Sequence, residues 1–341
     1  MRWNLWVGLL ISGVLLVLIV WTIDVRASVR ALTQVDFRWL ASAFVVLGVS
    51  LGLRAWRWRY LLAPVKLIST HRLFSAMMIG FMGNMLLPAR IGEFIRAYVV
   101  GKTQRVSASA SLATVVLERV LDGFTLLAVL LITVLVLRFP AESERLTRHI
   151  QTAGWLAFGL YLGVLVVCVF LRLYRAPTRR WLLAALFFLP AKGRERVAHM
   201  LDAFVEGLEV IRRGWHLVPI LGLSAVAWSA QAVSNWLVLL AFNLNLSLGA
   251  AFFLVAVQVF GVMIPSSPGF IGTYHAASIL ALAAYGVGRE VALSVSIVMH
   301  LLFFVPVTVT GFAYLWVENL TFREMTHVPK EMEPSTATEE S

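Results

Sequence analysis

Long apolar runs are the feature of this sequence that most restricts its fold. A helix needs about 20 mainly apolar residues to cross the hydrocarbon core of a bilayer. With 60% hydrophobic and only 14% charged residues, a soluble chain of 341 residues would lack the polar surface to cover itself. We therefore predict an all-α polytopic integral membrane protein. Six segments are predicted to be full spans: Leu5–Ile23, Leu40–Leu53 (extended by Trp56 and Trp58), Leu121–Leu137, Gly154–Leu171, Leu217–Phe242 and Val291–Trp316.

Two further apolar regions contain helix-breaking residues. The region Leu73–Val100 is interrupted at Pro88–Glu93, and the region Leu248–Tyr285 is interrupted at Pro265–Gly269. Proline and glycine inside such runs indicate discontinuous helices, whose unpaired backbone groups must face protein or water rather than lipid. The sequence thus predicts two re-entrant or broken helical hairpins in addition to about six full spans.

The basic residues indicate an orientation. The chain has 29 Lys and Arg against 18 Asp and Glu, a net charge of +11. If the N-terminus is cytoplasmic and the first broken region turns back, most basic residues lie in the cytoplasm, as membrane proteins prefer. We predict a protein of the cell (inner, cytoplasmic) membrane with both termini cytoplasmic. For the second broken region, a re-entrant hairpin and two short crossings leave the same basic residues in the cytoplasm, so the charge distribution does not distinguish them.

Two domains follow from this organisation. Residues 1–320 are predicted to form the transmembrane domain, and the polar residues 321–341 a disordered cytoplasmic tail. Arg54, Arg57 and Arg59 alternate with tryptophans at a predicted helix end. We interpret them as an interfacial anchor for anionic headgroups rather than a nucleic-acid site.

The two interruptions resemble each other. Pro88–Glu93 aligns with Pro268–Thr273 at an offset of 180 residues. Both segments have the pattern Pro-x-x-Ile-Gly, in which x is any residue. Paired broken helices in corresponding halves are typical of inverted-repeat transporters, whose site lies where the two tips approach each other. Two unrelated hairpins are the alternative.

Polar residues that could bind a substrate concentrate around the interruptions. Ionisable groups at membrane depth are unfavourable and usually face inward with a function. Arginine suits phosphate because its planar fork donates two parallel hydrogen bonds, and neighbouring carboxylates would hold the arginines or take up a proton. Alternatively, the ion pairs pin the hairpin to the next helix. The predicted substrate-binding residues near the first tip are Asn84, Arg90, Glu93, Arg96, Glu118, Arg119 and Asp122.

The second tip offers hydroxyl groups and a helix N-terminus, which attracts anions. Ser266, Ser267, Gly269 and Gly272 are its candidate binding residues. His275 and His300 lie in apolar stretches and are predicted to be packed, hydrogen-bonded histidines. No nucleotide-binding, zinc or nucleophile-elbow motif is present, so we predict no cofactor, no metal site and no catalytic residue.

Three motifs in this order resemble one known family. Gly83–Glu93, Leu117–Asp122 and Pro265–Gly272 are similar to the signatures of the lysylphosphatidylglycerol synthase transmembrane family, also called flippase-like membrane proteins. The resemblance covers residues 5 to 320 and implies a stand-alone member without the soluble aminoacyltransferase domain. Family members often have a glycine and a glutamate where this chain has Phe270 and Tyr274.

The residues and the resemblance together predict a membrane lipid transporter. It would move an anionic or glycosylated lipid between leaflets, and we predict that the chain is not an enzyme. The expected partners are a membrane lipid and a separate lipid synthase or glycosyltransferase, with no nucleic acid. The alternative is an intramembrane enzyme or accessory subunit acting on a lipid-linked substrate, with Glu93, Glu118 or Asp122 as the base.

Overall fold

The computed structural model describes residues 35–87, 90–136, 214–264 and 266–322, and scattered positions elsewhere. Within these four ranges the regular structure is helical, which confirms the all-α prediction. The predicted span Leu5–Ile23, several positions of Gly154–Leu171, Pro88, Pro265 and the tail beyond residue 325 lie outside the described residues. The α-helices of the four ranges are α1 Phe37–Leu62, α2 Thr70–Leu86, α3 Gly92–Gln104, α4 Ala108–Val136, α5 Gly214–Ala241, α6 Leu248–Met263, α7 Thr273–Ala283 and α8 Arg289–Val317.

Long apolar helices occupy the predicted spans of the described part. Phe37–Leu62, Leu217–Ala241 and Arg289–Val317 are long and apolar enough to cross a membrane. Helix α4 has 29 residues but carries Glu118, Arg119 and Asp122 in its middle. Its length suits a span, and its charges require neighbours that shield them from lipid.

Both broken regions fold as helical hairpins with the break at the predicted place. The arms α2 and α3 pack against each other, and so do α6 and α7. Small residues permit the close approach. A Cβ atom on Gly80 would lie 2.7 Å from the Gly92 carbonyl oxygen, and one on Gly261 would overlap the Ala277 Cβ. A short 3-10 turn, Pro268–Phe270, forms the second tip.

The offset of 180 extends far beyond the two tips. Adding it to the first residues of α1, α2, α3 and α4 gives 217, 250, 272 and 288. Helices α5, α6, α7 and α8 begin at 214, 248, 273 and 289. The packing repeats too, because α2 contacts α8 and the equivalent α6 contacts α4. The eight helices of the four continuous ranges therefore form two four-helix repeats, α1–α4 and α5–α8.

The two repeats are inverted relative to each other. The Asp36 N–H donates to the Ala241 carbonyl at 3.0 Å, and the Ser50 hydroxyl donates to the Ala227 carbonyl at 2.8 Å. Contacts thus advance along α1 as they retreat along α5, so these equivalent helices are antiparallel. A two-fold axis perpendicular to both helices relates such a pair, and this confirms the predicted inverted repeat.

The hairpin tips meet near this axis. Arg90 and Phe270 are equivalent positions, and the Arg90 Cζ lies 5.2 Å from the centroid of the Phe270 ring. Both have positive φ, 52° and 58°, a conformation that L-residues other than glycine adopt at a cost of about 1 kcal/mol or more. The positive φ at both equivalent positions is a further similarity between the two repeats.

An apolar core surrounds each hairpin, and each core also includes side chains from helices of the other repeat. The first core includes Trp58, Met77, Met82 and Ile95, which are fully buried. The second includes Phe253, Leu254, Val295 and Met299. These cores fix each hairpin to the long helices beside it and leave the space between the two tips unfilled.

Candidate functional site

A cavity of about 550 Å³ lies between the two hairpins, and residues of all eight helices line it. Its walls differ in chemistry. The charged side chains among its described lining residues all belong to the first repeat: Arg54, Arg90, Glu93, Arg119 and Asp122. The second repeat contributes neutral polar groups: Gln231, Ser234, Asn235, Gln258, Tyr274 and His300.

Helix α4 supplies two carboxylates, Glu118 and Asp122, which lie one turn apart and therefore face the same neighbouring helices. Arg57 of α1 lies between them. Its Nη2 donates to Asp122 Oδ2 at 3.1 Å and lies 3.3 Å from Glu118 Oε1, while its Nη1 donates to Asp122 and to the Ser224 hydroxyl. Arg57 is 1% exposed. This group ties α1, α4 and α5 together.

Arg96 of α3 is held away from the cavity. Its two terminal nitrogens donate to the two oxygens of Glu118 at 2.9 and 2.8 Å. Its Cζ lies 3.5 Å from the centroid of the Trp58 ring, and the side chain is fully buried. Neither Arg96 nor Glu118 is among the described lining residues. The pair therefore joins α3 to α4. Substrate binding by Arg96 and Glu118 stays a prediction.

Arg119 and Arg90 do reach the cavity wall. Arg119 donates to Glu118 Oε1 at 2.9 Å, and 35% of its side chain stays exposed. Arg90, at the first tip, donates to the Val262 carbonyl of α6. Glu93 also lines the cavity, and its buried Oε2 has no hydrogen-bond partner among the described residues. These three side chains are in a position to contact a ligand.

The Asn84 side chain forms a hydrogen bond across the break between α2 and α3. Its Oδ1 accepts a hydrogen bond from the Gly92 N–H at 2.8 Å, which satisfies one of the unpaired donors at the start of α3. A Cβ atom on Gly92 would overlap both this oxygen and the Gly80 carbonyl. Asn84 borders the cavity as well, with its amide oxygen already engaged.

The second-tip candidates lie beside the cavity rather than on its described wall. The Ser267 hydroxyl donates to the Ile271 carbonyl at 3.2 Å, and the buried Ser266 Oγ has no hydrogen-bond partner in the part of the chain that the structure describes. Gly269 and Gly272 have φ of 72° and 94°, which suits glycine. The tip residue that does line the cavity is Phe270. Substrate binding by Ser266, Ser267, Gly269 and Gly272 stays a prediction.

The interfacial-anchor interpretation is wrong for two of its three arginines. Arg54 and Arg57 are 6% and 1% exposed, whereas Arg59 is exposed. Helix α1 continues to Leu62, so Arg54 and Arg57 lie within it and face α4 and α5. Their spacing of three residues, which puts them on the face opposite Arg59, was the signal for this arrangement.

Neutral polar groups of the second repeat form their own networks. The Asn235 amide donates to Gln258 Oε1 at 2.8 Å, and Gln258 donates to the Ser278 hydroxyl at 3.0 Å. His275 Nδ1 lies 2.9 Å from the Ser296 hydroxyl, and its Nε2 lies 3.4 Å from His300 Nδ1. The histidines are packed as predicted, but against each other. No group of three metal-ligating side chains occurs in the described part of the chain.

A family model for the lysylphosphatidylglycerol synthase transmembrane region matches residues 5–311. The chain belongs to this family. The match confirms the resemblance seen in the three motifs. Together with the long apolar helices, it identifies an integral membrane protein. No solved structure matches the chain.

Several curated proteins are similar to this chain. One is named glycosyltransferase AglD, from Haloferax volcanii, and is 28% identical over 320 residues that cover 86% of this chain but 51% of the relative. The chain thus spans about half the length of that relative. A UPF0104 membrane protein of Methanothermobacter thermautotrophicus is 28% identical over 83% of this chain and 86% of its own length. Another, from Pyrococcus horikoshii, is 24% identical over 90% and 96%.

One prediction needs correction. We expected that the chain is not an enzyme, but a relative that aligns with 86% of it carries the name of a glycosyltransferase. The lack of a familiar catalytic motif was a weak argument, because intramembrane chemistry on a lipid-linked substrate needs only a few well-placed polar groups.

Proposed function

We propose that the chain moves a lipid with an anionic or glycosylated headgroup between the leaflets of the membrane. The headgroup would occupy the cavity between the hairpins, while the acyl chains stay in the surrounding lipid. The observation that supports this most is a cavity with Arg90, Arg119 and Glu93 on its wall inside an otherwise apolar fold. Charged groups at such depth are unfavourable without a ligand or a partner.

The inverted repeat supplies a mechanism for alternating access. We propose that the two hairpins are re-entrant from opposite faces, with both chain termini cytoplasmic. Rocking one repeat against the other around the tips would then open the cavity to each leaflet in turn. Net movement needs a driving force, which an ion gradient or consumption of the lipid on the far side would provide.

Purified protein in proteoliposomes tests this function with a headgroup-labelled anionic lipid. We expect Arg90→Ala and Arg119→Ala to lower the initial rate of movement by about tenfold or more, the loss expected for a charge-assisted hydrogen bond. Arg59→Ala removes an exposed arginine of α1 and serves as the matched control with an unchanged rate. Unaltered movement by both cavity variants contradicts the site, and no movement by the unmodified chain contradicts the function.

A second candidate is a transfer reaction on a lipid-linked substrate. Glu93 favours it, because its buried Oε2 accepts no hydrogen bond from the described residues and a carboxylate at a cavity wall can act as a general base. The printed name of the Haloferax volcanii relative agrees with it. Incubation with a lipid phosphate and a sugar donor, followed by mass spectrometry, tests it. A product of increased mass that Glu93→Gln abolishes supports this candidate, and unchanged lipid counts against it.

The sequence-based partner proposal has a separate test. We propose that the chain acts with a lipid synthase or glycosyltransferase, which supplies or consumes the lipid that it moves. Gentle purification of the tagged chain followed by protein mass spectrometry is expected to recover such an enzyme. Recovery of the chain alone contradicts the partnership without affecting the transport assay.

A further inference from the structure

A pair of histidines lies beside the second hairpin tip, in the apolar part of the fold. His275 belongs to α7 and His300 to α8, and their ring centroids are 5.1 Å apart. His275 is buried, whereas His300 lines the cavity between the hairpins. The Tyr274 and Phe304 rings contact His300, with centroids 5.1 and 5.7 Å away. The headgroup contacts of the proposed function belong to the first repeat and do not involve this pair.

The hydrogen bonds around the pair determine which ring nitrogens carry hydrogen. The Ser296 hydroxyl donates to the Leu293 carbonyl at 2.8 Å, a bond that serine often forms within helices. A hydroxyl has one hydrogen, so Ser296 accepts from His275 Nδ1, which lies 2.9 Å away. A neutral imidazole has one donor and one acceptor nitrogen. His275 Nε2 is therefore an acceptor, and its donor is His300 Nδ1 at 3.4 Å.

This chain of hydrogen bonds begins at His300 Nε2. Because the hydrogen of a neutral His300 is on Nδ1, its Nε2 carries a lone pair, and this buried nitrogen has no hydrogen-bond partner among the described residues. The backbone of Gly269, at the second tip, interacts with the same ring. Proton uptake at Nε2 would turn this nitrogen into a donor that the Gly269 carbonyl can accept.

We propose that His275 and His300 form a proton-binding site of the cavity, and that the bound proton stabilises the contact between the second hairpin tip and α8. A proton from solvent in the cavity binds the lone pair of His300 Nε2, and no other covalent bond changes. A second proton would place two like charges side by side, so the pair binds one proton at a time. Building on the proposed transport, a proton gradient is then the ion gradient that drives it.

Several titratable and charged groups surround the pair. Tyr274 is in ring contact with both histidines. The described polar residues that α2, α5 and α6 contribute to the cavity wall are neutral, and these helices pack against α7 or α8. The charged residues that share the cavity with His300 are Arg54, Arg90, Glu93, Arg119 and Asp122. A bound anionic headgroup would attract a proton on the pair, so we expect anion and proton to strengthen each other's binding.

Solid-state nitrogen NMR tests the site directly, because it distinguishes the two neutral forms of the ring from the cation. The full chain is labelled at histidine and reconstituted in bilayers, and His275→Gln and His300→Gln assign the signals. At about pH 8 we expect both rings to carry hydrogen on Nδ1. Between about pH 8 and pH 4 we expect the pair to take up one proton, with His300 becoming the cation. Hydrogen on Nε2 of both rings, uptake of two protons together, or no uptake overturns the proposal.

Two serine variants test the hydrogen-bond chain. Ser296→Ala removes the acceptor of His275 Nδ1, and we expect His275 to become a mixture of both neutral forms at about pH 8. Ser294 is also buried and donates to a carbonyl of its own helix, that of Glu290, at 2.8 Å. Ser294→Ala is therefore the matched control and is expected to leave the signals unchanged. An unchanged His275 in Ser296→Ala, or the same change in both variants, contradicts the assignment.

Backbone hydrogen exchange of residues 266–272 tests the contact with the tip. After correction for the intrinsic pH dependence of exchange, acidification from about pH 8 to pH 5 is expected to slow exchange about fivefold, as one further hydrogen bond predicts. His300→Gln keeps a hydrogen-bonding side chain that does not titrate and is expected to abolish this slowing. His71→Gln, which replaces an exposed histidine, is expected to retain it. Equal slowing in His300→Gln and the unmodified chain contradicts the contact.

Lipid movement under an imposed pH gradient separates this inference from the proposed transport. In proteoliposomes we expect the gradient to accelerate movement of a labelled anionic lipid by the unmodified chain and by His71→Gln, but not by His300→Gln. Movement that the gradient leaves unchanged, or accelerates equally in His300→Gln, refutes the coupling and leaves transport intact. Proton uptake by the pair without any lipid movement refutes transport and leaves the proton site intact.

Discussion

The two repeats share a fold but differ in the chemistry of their equivalent positions. Glu118, Arg119 and Asp122 of α4 correspond, at the offset of 180, to Val298, Met299 and Leu302 of α8. The first repeat holds its helices together with buried ion pairs, whereas the second uses neutral hydrogen bonds and apolar contacts. Ion pairs are therefore not a requirement of this fold. Among the described residues, the buried ion pairs are contributed by helices of the first repeat.

The largest expected effect follows from removing the carboxylate that three arginines share. Glu118→Gln removes the carboxylate that Arg96 contacts and one of the two that contact Arg57 and Arg119, so we expect the free energy of unfolding to fall by about 3–5 kcal/mol. Denaturant unfolding in detergent measures it. Val298→Ala, at the equivalent position of α8, is the matched variant and is expected to lower the free energy of unfolding by about 1 kcal/mol. Similar losses for the two variants contradict the contrast between the repeats.

A smaller effect is expected at the closest approach of the first hairpin. Gly92→Ala drives a Cβ atom into the Gly80 carbonyl and the Asn84 amide, and we expect a loss of about 1–3 kcal/mol from such overpacking. Gly48→Ala in α1 is the control, because no atom lies within 4 Å of the added Cβ. It is expected to leave stability unchanged or raise it slightly. Thermal unfolding of both variants in the same detergent decides the matter, and equal unfolding temperatures count against the packing argument.

The hydrogen bond across the first break is expected to contribute less. Asn84→Ala removes the acceptor of the Gly92 N–H, and we expect a loss of about 1 kcal/mol, typical of a helix cap. The equivalent residue of the second hairpin is Ile264, which is half exposed. Ile264→Ala is expected to change the free energy of unfolding by less than about 0.5 kcal/mol, as surface substitutions usually do. Equal losses at both positions show that the amide has no special role.

The smallest expected effect concerns the contact between the tips. Phe270→Leu keeps an apolar side chain but removes the aromatic ring beneath the Arg90 guanidinium. Loss of this cation–π contact is expected to lower stability by about 0.5–1 kcal/mol. In an Arg90→Ala background, the same substitution is expected to have no such effect. A double-mutant cycle measures this coupling, and a coupling energy of zero contradicts the contact.

Much of the fold was predictable because helix breaks have a local cause. Proline and glycine inside apolar runs marked both hairpins, and the offset of 180 between the two Ile-Gly pairs was enough to align the repeats. Extending that offset would have related α1 to α5 and α4 to α8 as well. The spacing of Glu118 and Asp122 likewise placed both carboxylates on one face of α4.

The site was harder to predict because its pairings join distant parts of the chain. Arg54 and Arg57 resembled an interfacial anchor since the apolar run of α1 becomes polar there, yet the helix continues and α4 and α5 bury them. Whether Arg96 faces the cavity or Glu118 depends on how α3 packs against α4. Local sequence does not contain that information.

Arg90 and Phe270 occupy equivalent positions and touch each other near the axis between the repeats. In a symmetric dimer of half-length chains, the residue at this position would meet its own copy. Two arginines there would repel each other, and two phenylalanines would supply no charge to the cavity. The cation–π contact between Arg90 and Phe270 requires two different residues at equivalent positions of the two repeats. Joining both halves in a single chain makes this possible, because each copy is then free to change without the other.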